Sequence, residues 1–345
     1  MASLVGLAAC SSDSGDDEPA PVTAPDNAAS DITSPDTITP DTATPDTTTT
    51  DAAAPDTTTI DAGTTDPAGA ESVQVTDEPG LTFQSLDASP DGATLAFENE
   101  RGVGVLTVDG GDITYVVEND DAKTVTKPTY LGDGRLAVLV APPGEVGGTI
   151  NIVDDAGALQ PVELPLTVVD IEGGADDTIV YVSFTNGERN IGSVQADAAA
   201  PTADSITDGF NDHDPTVSPD GTQLAFVRTD TDDGGEEVNT LVLTDVAGGI
   251  EYPIIASPRN GVLRAPSWSP DGGRLVVSMT ATGSDGVDIE QLFVIDPALG
   301  ELQVTDDEGD KPEAVWISNG EIAYRIVTGD DRNGQIFRVL APAAG

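Results

Sequence analysis

Short apolar runs recur along the chain, separated by polar segments rich in Gly, Pro and Asp. The run Leu224–Val227 is too short for a helix and apolar on successive positions, which predicts a strand covered on both faces. Thr240–Leu243 and Tyr252–Ile255 follow it with similar strand-like character. Helical periodicity with caps is not found, which argues against strands alternating with helices. The pattern therefore predicts an all-β protein.

The tetrapeptide Ser-Pro-Asp-Gly marks a repeat. It occurs three times, at Ser89–Gly92, Ser218–Gly221 and Ser269–Gly272, and each copy precedes an apolar run. This order of residues specifies a tight type I turn, because Pro presets φ at the second position and Gly tolerates a left-handed conformation at the fourth. Each copy therefore predicts a hairpin between two antiparallel strands.

Degenerate copies of this turn precede three further apolar runs. With the turn Asp as a marker, the six markers are Asp91, Asp133, Asp176, Asp220, Asp271 and, with Asn in the Asp place, Asn319. Repeats of about 40 to 50 residues typically form propeller blades or solenoid units. Residues 71–345 divide into six such repeats, which predicts a six-bladed β-propeller of four-stranded antiparallel blades.

The two ends of the repeat region share a tetrapeptide. Gln-Val-Thr-Asp stands at Gln74–Asp77 and again at Gln303–Asp306, where it belongs to the fourth strand of the fifth blade. The sixth blade ends after its third strand, Gln335–Leu340. We therefore expect residues 72–76 to cross over as its missing fourth strand, which closes the ring and covers an open sheet edge.

One repeat resembles a known family closely. Pro266–Gly272 reads Pro-Ser-Trp-Ser-Pro-Asp-Gly and is followed by the apolar triplet Leu275–Val277. This pattern is similar to the WD-like repeat of the TolB family of propellers, and the resemblance covers about 275 of the 345 residues. It implies the fold but no single activity, because such blades occur in periplasmic binding proteins, peptidase gating domains and enzymes. Unlike in TolB, we expect no globular domain ahead of the propeller.

The N-terminus points to a lipid anchor. Leu7–Cys10 reads Leu-Ala-Ala-Cys, which resembles the lipobox of bacterial lipoproteins, and Cys10 is the only cysteine. Residues 1–10 are therefore interpreted as the remnant of a lipoprotein signal peptide, whose positively charged start would lie upstream. The apolar stretch is far shorter than a membrane-spanning helix. The alternative is a lone thiol on an unstructured terminus.

Residues 11–70 are predicted to be a disordered acidic tether. They consist mostly of Thr, Pro, Ala and Asp, carry thirteen acidic residues, and contain no Lys or Arg. Such a segment buries too little apolar surface to offset the entropy of ordering, and its charges repel one another. We interpret it as a spacer between a membrane and the propeller. A low-complexity insertion without function is the alternative.

The chain is strongly acidic. Its formal charge of −49 divides into −13 on residues 1–70 and −36 on residues 71–345. This charge makes nucleic acid and anionic lipid head groups poor partners for the propeller. We expect a monomer that contacts the membrane only through a lipid on Cys10.

The sequence lacks the residues that several kinds of catalytic and metal-binding site require. One His and one Cys exclude a Cys/His zinc site and make a Cys nucleophile implausible. The sequence has no G-x-S-x-G motif and no phosphate-binding loop, so no catalytic residue, metal or cofactor is assigned. Acidic runs at 230–237 and 330–334 do not have EF-hand spacing, and we interpret them as solvated hairpin tips rather than calcium sites.

The best candidates for binding residues lie in four segments that enter inner strands, because these segments ring one mouth of a propeller channel. Each segment precedes a proline that marks the inner strand: Pro128, Pro215, Pro266 and Pro312. We predict a polar mouth for an anionic or peptide ligand, with Lys127, Arg264 and Lys311 as a local positive island. Salt bridging between blades is the alternative role. The residues concerned are Lys123, Lys127, Asp212, His213, Asp214, Arg259, Arg264, Asp310 and Lys311.

Two classes of function fit these observations. The first is a lipid-anchored, extracytoplasmic binding or scaffold protein of the bacterial cell envelope, whose partner is an envelope protein, a peptide or a small anionic ligand. The second is a propeller enzyme of the lactonase, lyase or glycosidase type, which would need paired carboxylates or a bound cation in the channel. The lack of catalytic motifs favours the first.

Overall fold

The computed structural model describes residues 71–344 except 79, 186, 209, 283–285 and 330–333. Twenty-four β-strands form six four-stranded antiparallel sheets, and no helix is found among the described residues. The predicted six-bladed β-propeller is therefore confirmed. The signal-peptide remnant with Cys10, the tether and most of the acidic run at 330–334 lie outside the described residues.

The first three blades follow one another along the chain. Blade 1 contains β2 (Gln84–Ala88), β3 (Thr94–Asn99), β4 (Gly102–Thr107) and β5 (Thr114–Glu118). Blade 2 contains β6 (Thr124–Tyr130), β7 (Leu136–Ala141), β8 (Thr149–Val153) and β9 (Leu159–Val162). Blade 3 contains β10 (Val168–Gly173), β11 (Thr178–Thr185), β12 (Glu188–Gln195) and β13 (Asp204–Ser205).

The remaining blades complete the ring. Blade 4 contains β14 (Asp212–Val217), β15 (Gln223–Thr231), β16 (Glu237–Asp245) and β17 (Tyr252–Ala256). Blade 5 contains β18 (Leu263–Trp268), β19 (Leu275–Thr282), β20 (Asp288–Asp296) and β21 (Gly300–Gln303). Blade 6 contains β22 (Asp310–Ser318), β23 (Glu321–Val327) and β24 (Ile336–Leu340), together with β1 (Val73–Gln74) from the start of the described chain.

The two ends of the chain meet in blade 6. Val73 is paired with Arg338 and Gln74 with Phe337 in antiparallel register. Beyond β1, the amide of Val75 donates to the carbonyl of Ile336 at 2.8 Å, and the amide of Ile336 donates to Thr76 Oγ1 at 2.9 Å. These bonds satisfy part of the edge of β24 that would otherwise be open.

The Ser-Pro-Asp-Gly segments form the turns between the first and second strands of blades 1, 4 and 5. In each turn the Gly amide donates to the Ser carbonyl, at 2.7 Å for Gly92 and 2.8 Å for Gly221 and Gly272. The Ser hydroxyl donates to the Asp carboxylate, for example at 2.6 Å from Ser218 to Asp220. The repeated residues therefore form the tight turns that the sequence predicts.

The hydrophobic core lies between neighbouring blades. Leu224–Val227 in β15 is completely buried, as expected for a strand covered on both faces. Trp316 is buried against residues of blade 5, and its Nε1 donates to the carbonyl of Ser267 at 3.1 Å. Trp268 packs against blade 4 in the same way, and its Nε1 donates to the carbonyl of Thr216 at 3.3 Å. Both tryptophans belong to the core between blades.

Candidate functional site

Two rings of side chains line the central channel, and both are set by the distance to the turn marker. The first ring lies six residues before the marker and consists of Ser85, Lys127, Asp170, Asp214, Ala265 and Glu313. The second ring lies four residues before it and consists of Asp87, Thr129, Glu172, Thr216, Ser267 and Val315. All first-ring residues line one cavity of about 300 Å³, which we call the first cavity. Five second-ring residues, all but Thr129, line another cavity of about 300 Å³ on the turn side, the second cavity.

A bulge in the inner strand positions the first ring. The strand register shifts at this point in every blade. Four first-ring residues have a left-handed backbone, with φ of 49° at Ser85, 52° at Lys127, 49° at Asp214 and 48° at Ala265. Such conformations cost about 1 kcal/mol or more for residues other than Gly, and they cluster at functional positions.

Carboxylates predominate in the first cavity. Its lining includes six of them, namely Asp87, Glu98, Asp170, Glu172, Asp214 and Glu313, against the cations Lys127, Arg264 and Arg325. The first cavity is therefore acidic overall, whereas the sequence predicted a local positive island at the channel mouth. A lining of this composition attracts a cationic group more strongly than an anionic one.

Lys127 is the cation most fully surrounded by these carboxylates. Its Nζ lies 3.2 Å from Asp170 Oδ1, and its amide donates to Glu98 Oε2 at 2.5 Å. The charge of Asp170, together with those of Glu313, Asp214 and Glu98, outweighs burial and raises the pKa of Lys127. Burial raises the pKa of both Asp170 and Glu98, although Lys127 opposes the shift. The Lys127 side chain is 39% exposed and lines the first cavity.

Asp214 is bound on both sides. Its Oδ1 lies 3.3 Å from His213 Nδ1, and its Oδ2 accepts the amide of Ala265 at 3.0 Å. Burial opposes ionisation of Asp214, but the hydrogen bond and charge of His213 outweigh it and hold the pKa of Asp214 well below its usual range. The other ring nitrogen, His213 Nε2, lies 2.9 Å from Thr229 Oγ1. His213 therefore lies between Thr229 and Asp214 and contacts both side chains.

Glu313 joins the last blade to the first. Its Oε1 accepts the amide of Leu86 at 3.0 Å, and its Oε2 accepts Arg325 Nε at 3.3 Å. Burial raises the pKa of Glu313, although Arg325 and Lys127 act in the opposite direction. This carboxylate therefore has a structural role as well as a place in the cavity.

Asp87 lies in the second ring and lines both cavities. Its Oδ2 accepts the amide of Tyr130 at 2.6 Å and Thr129 Oγ1 at 3.0 Å, which ties blade 1 to blade 2. Burial raises the pKa of Asp87 to about 6, although these hydrogen bonds lower it. No ion pair to Asp87 is found within the described part of the chain.

Glu172 is the second carboxylate shared by both cavities. Thr216 Oγ1 donates to its Oε1 at 3.1 Å, and no cation pairs with it among the residues described. Burial raises the pKa of Glu172 well above its usual value, and the charge of Asp87 adds to the shift. Two carboxylates without ion-pair partners thus lie between the two cavities.

The residues expected at the mouth separate into two groups. Lys127, Asp214 and Arg264 line the first cavity, where Arg264 Nε also donates to Glu290 Oε2 at 2.9 Å. His213 contacts the cavity only through Asp214. The remaining five do not line it: Lys123, Asp212, Arg259, Asp310 and Lys311.

These five residues have local partners. Lys123 Nζ bonds Asp120 Oδ2 at 2.7 Å, and Arg259, 74% exposed, bonds Asp232 Oδ2 at 2.8 Å. Asp310 Oδ1 accepts the amide of Glu290 at 2.9 Å. Asp212 is completely buried and accepts two bonds from Arg228, at 2.7 and 2.9 Å.

Lys311 differs most from its predicted position. Its side chain is completely buried, and Nζ bonds the carboxylate of Asp307 at 2.8 Å and the carbonyls of Asp307 and Gly309 at 2.6 and 2.9 Å. The prediction aligned Pro312 with Pro128 and Pro266, which lie five residues before their turn markers. Pro312 lies seven residues before its marker, so Glu313 takes the ring position instead.

The sequence analysis did not predict four carboxylates of the two rings as site residues: Asp87, Asp170, Glu172 and Glu313. The signal that finds them is the constant distance to the turn marker, which was already available in the sequence. Neither Asp170 nor Asp87 is followed by Pro, so a search for inner strands that begin near Pro passes over them.

The structure gives no metal site in its described part: no group of three or more Asp, Glu, His or Cys side chains there is arranged to hold an ion. In the acidic run at 230–237, Asp232 Oδ1 accepts the amides of Gly234 and Glu236, at 2.8 and 3.0 Å, which closes the hairpin tip. None of the residues described forms a helix that is long and apolar enough to cross a membrane.

Solved structures with the same fold differ widely in what they do. No protein-family model matches the chain. A gluconolactonase from Xanthomonas campestris is 12% identical, with a TM-score of 0.56 over 79% of this chain and 90% of that one. TolB from Agrobacterium tumefaciens is 17% identical, with a TM-score of 0.54 over 79% and 98%. TolB from Acinetobacter baumannii is 14% identical, with a TM-score of 0.52 over 76% and 64%. The fold is thus a TolB-like propeller, which the gluconolactonase also shares.

Proposed function

We propose that this protein is an extracytoplasmic, lipid-anchored binding protein that captures a protein or peptide partner at the first cavity. The observation that carries the proposal is the convergence of six first-ring side chains on one open cavity of about 300 Å³. Propellers commonly bind at such a channel mouth, where loops of all blades meet. The predominance of carboxylates in the lining favours a partner that presents an ammonium or guanidinium group over an anionic ligand.

Site-specific photo-crosslinking in the native envelope tests this function. A photoreactive amino acid replaces Gln84, an exposed residue of the first cavity, or Ala175, a half-buried residue of the second cavity that serves as the control. We expect a discrete adduct from position 84 and none from position 175. Adducts from position 175 alone, or equal adduct patterns from both, would contradict binding at the first cavity.

The anchor and the tether complete the proposal. A lipid on Cys10 would retain the protein at the membrane, because each buried CH₂ contributes about 0.8 kcal/mol. Sixty residues of flexible chain would then hold the propeller roughly 40 Å or more from the membrane surface. When the protein is expressed behind a complete lipoprotein signal peptide, we expect detergent partitioning that Cys10→Ser abolishes. Unchanged partitioning of Cys10→Ser would refute the anchor.

An enzymatic function is the second candidate, and Asp87 and Glu172 are the observation that favours it. These two carboxylates have raised pKa values and lie between the cavities, as a general acid and base would. Since a gluconolactonase has the same fold, hydrolysis of gluconolactone is the direct assay. Turnover by the wild type that Asp87→Asn and Glu172→Gln each reduce at least about a hundredfold would favour the enzyme. Equal rates with and without protein would exclude this substrate.

A further inference from the structure

Three exposed apolar side chains lie at the end of the propeller where the second and third strands connect. Val146 is 83% exposed in the β7–β8 connection, Phe184 is 51% exposed near the end of β11, and Phe210 is 43% exposed in the connection from β13 to β14. They belong to neighbouring blades, 2 to 4. We call them the apolar strip.

Backbone hydrogen bonds connect the segments that carry Val146 and Phe184. The amide of Gly148, in the same loop as Val146, donates to the carbonyl of Val168 at 2.8 Å. The amide of Phe184 donates to the carbonyl of Thr167 at 3.2 Å. The two apolar residues therefore flank one connection, Thr167 and Val168, from opposite sides.

A second set of contacts joins Phe184 to Phe210. Phe184 is the register partner of Arg189, and Arg189 forms a parallel bridge with Asn211, the neighbour of Phe210 in the chain. The ring of Phe210 lies 3.7 Å from the Arg228 guanidinium, which Asp212 holds with two hydrogen bonds. Phe210 is therefore held in place before any partner arrives, which lowers the entropy cost of binding.

The apolar strip lies at the same end of the channel as the first cavity. The β9–β10 and β13–β14 connections lead directly into the strands that carry Asp170 and Asp214, whereas the Ser-Pro-Asp-Gly turns lie at the other end. Asp170 and Asp214 belong to blades 3 and 4, the same sector as the strip. An apolar surface and an acidic cavity thus adjoin each other.

The charge of the propeller limits which kinds of partner can cover the apolar strip. Two copies with −36 each would repel one another, and so would an anionic membrane. An apolar surface beside carboxylates is instead complementary to large apolar side chains next to Lys or Arg. A polypeptide segment of a partner protein can supply both in adjacent positions.

We propose that the apolar strip and the first cavity together dock an extended partner segment with large apolar side chains next to a Lys or Arg. The apolar side chains cover Val146, Phe184 and Phe210, and the basic side chain reaches the carboxylates Asp170 and Asp214. The inference rests on the proposed function for the location of the cavity. It adds the strip and the chemical class of the partner segment.

Fluorescence anisotropy of the full chain with three labelled peptides tests the proposal. The first probe contains Phe-Lys-Phe, the second Ser-Lys-Ser, and the third Phe-Glu-Phe, each flanked by Gly and Ser. We expect the first probe to bind at least about tenfold more tightly than either of the others. Equal binding of the first two probes would reduce the interaction to general attraction by an acidic protein and overturn the proposal, as would no binding of the first.

Matched variants locate the contact. The pair Val146→Ser and Phe184→Ser removes two residues of the strip, and the pair Ile250→Ser and Leu299→Ser removes two similarly exposed apolar residues elsewhere. We expect the strip pair to weaken the first probe about tenfold and the control pair to leave it unchanged, at equal melting temperatures. Equal effects of the two pairs would refute the strip.

The same data separate the two proposals. If Asp170→Asn weakens the first probe while the strip pair does not, the cavity binds basic groups but the strip is not part of the site. If the strip pair weakens binding of the first probe while position 84 gives no crosslink in the envelope, the peptide-docking proposal is supported. The proposal that the native partner binds at the first cavity is then refuted.

Discussion

At the scale of single residues, the turn glycines share a conformation but not their surroundings. Gly92, Gly221 and Gly272 have φ of +67°, +73° and +70°, which side chains other than Gly rarely adopt. A Cβ at Gly92 would overlap the carbonyl oxygen of Ile317 in the neighbouring blade, whereas a Cβ at Gly272 would meet only Pro219 Cδ at 3.6 Å. The repeat thus contains an internal comparison between conformational strain alone and strain with a backbone clash.

We expect Gly272→Ala to cost about 1 kcal/mol of unfolding free energy, because only the left-handed conformation is penalised. Gly92→Ala should cost at least about twice as much, because the Ile317 backbone must also move. Urea unfolding of both variants against the wild type measures the difference. Equal costs would mean that the approach of blades 1 and 6 at this turn is looser than the structure indicates.

At the scale of elements, polar side chains of the second ring bind one inner strand to the next. Thr129 Oγ1 donates to Asp87 Oδ2 in blade 1 and accepts the amide of Gly173 from blade 3 at 2.7 Å. Among the described residues, Thr216 Oγ1 bonds only Glu172. A ring without disulfides depends on such contacts and on the apolar packing between blades.

Replacement of these two threonines by Val, which has nearly the same shape, isolates the hydrogen bonds. Thr129→Val should cost about 2 kcal/mol, because the half-buried amide of Gly173 loses the Thr129 hydroxyl as its hydrogen-bond partner. Thr216→Val should cost less, about 1 kcal/mol, since no backbone group loses its bond. Chemical denaturation gives both values, and a larger loss for Thr216→Val would contradict the role assigned to Thr129.

The closing strand β1 also contributes to the stability of the propeller. Deletion of residues 1–70 should leave the melting temperature of the propeller nearly unchanged, because that segment is too polar to add to the core. Deletion of residues 71–77 in addition should cost several kcal/mol, because β24 loses its pairing with β1 and the bonds to Val75 and Thr76. Calorimetry of the two truncations decides the matter, and equal melting temperatures would refute the contribution of β1.

At the scale of the whole molecule, two sets of carboxylates act in opposite directions with pH. The pKa of Asp87 is raised to about 6, and those of Glu172, Asp170, Glu98 and Glu313 are also raised by burial. Each of these groups binds its proton more tightly in the folded state, so it destabilises the fold as pH rises through its folded pKa. By contrast, the pKa values of Asp214 and of the turn residues Asp91, Asp220 and Asp271 are lowered, so their stabilisation is present above about pH 4 and lost below it.

We therefore expect stability to be greatest near pH 4 to 5 and to fall as pH rises towards about 7, with roughly 3 kcal/mol of the loss from Asp87. Denaturant unfolding from about pH 3 to 8 at constant ionic strength measures this curve. Glu172→Gln should flatten the fall above about pH 4.5, whereas Asp112→Asn, which removes one exposed charge, should not. A stability that rises over this interval would contradict the raised pKa values.

The local chemistry of the sequence was sufficient to predict the blades. Pro and Gly in Ser89–Gly92 specify a turn through their own backbone preferences, and the run Leu224–Val227 specifies a strand through its length and apolar character. These are interactions between neighbours in the chain. Because they repeat six times, they also determined the number of blades, and the duplicated Gln-Val-Thr-Asp indicated where the ends meet.

The composition of the channel was decided by the closed ring. Lys127, Asp170 and Glu313 come from three different blades, and only tertiary structure brings their charges into one cavity. There burial and the charges of neighbouring groups shift each pKa. Lys311 is buried because a shift of two residues in blade 6 gives its ring position to Glu313. Local sequence determines the turn and the strand, but the charge of a cavity is the sum over distant residues that only folding brings together.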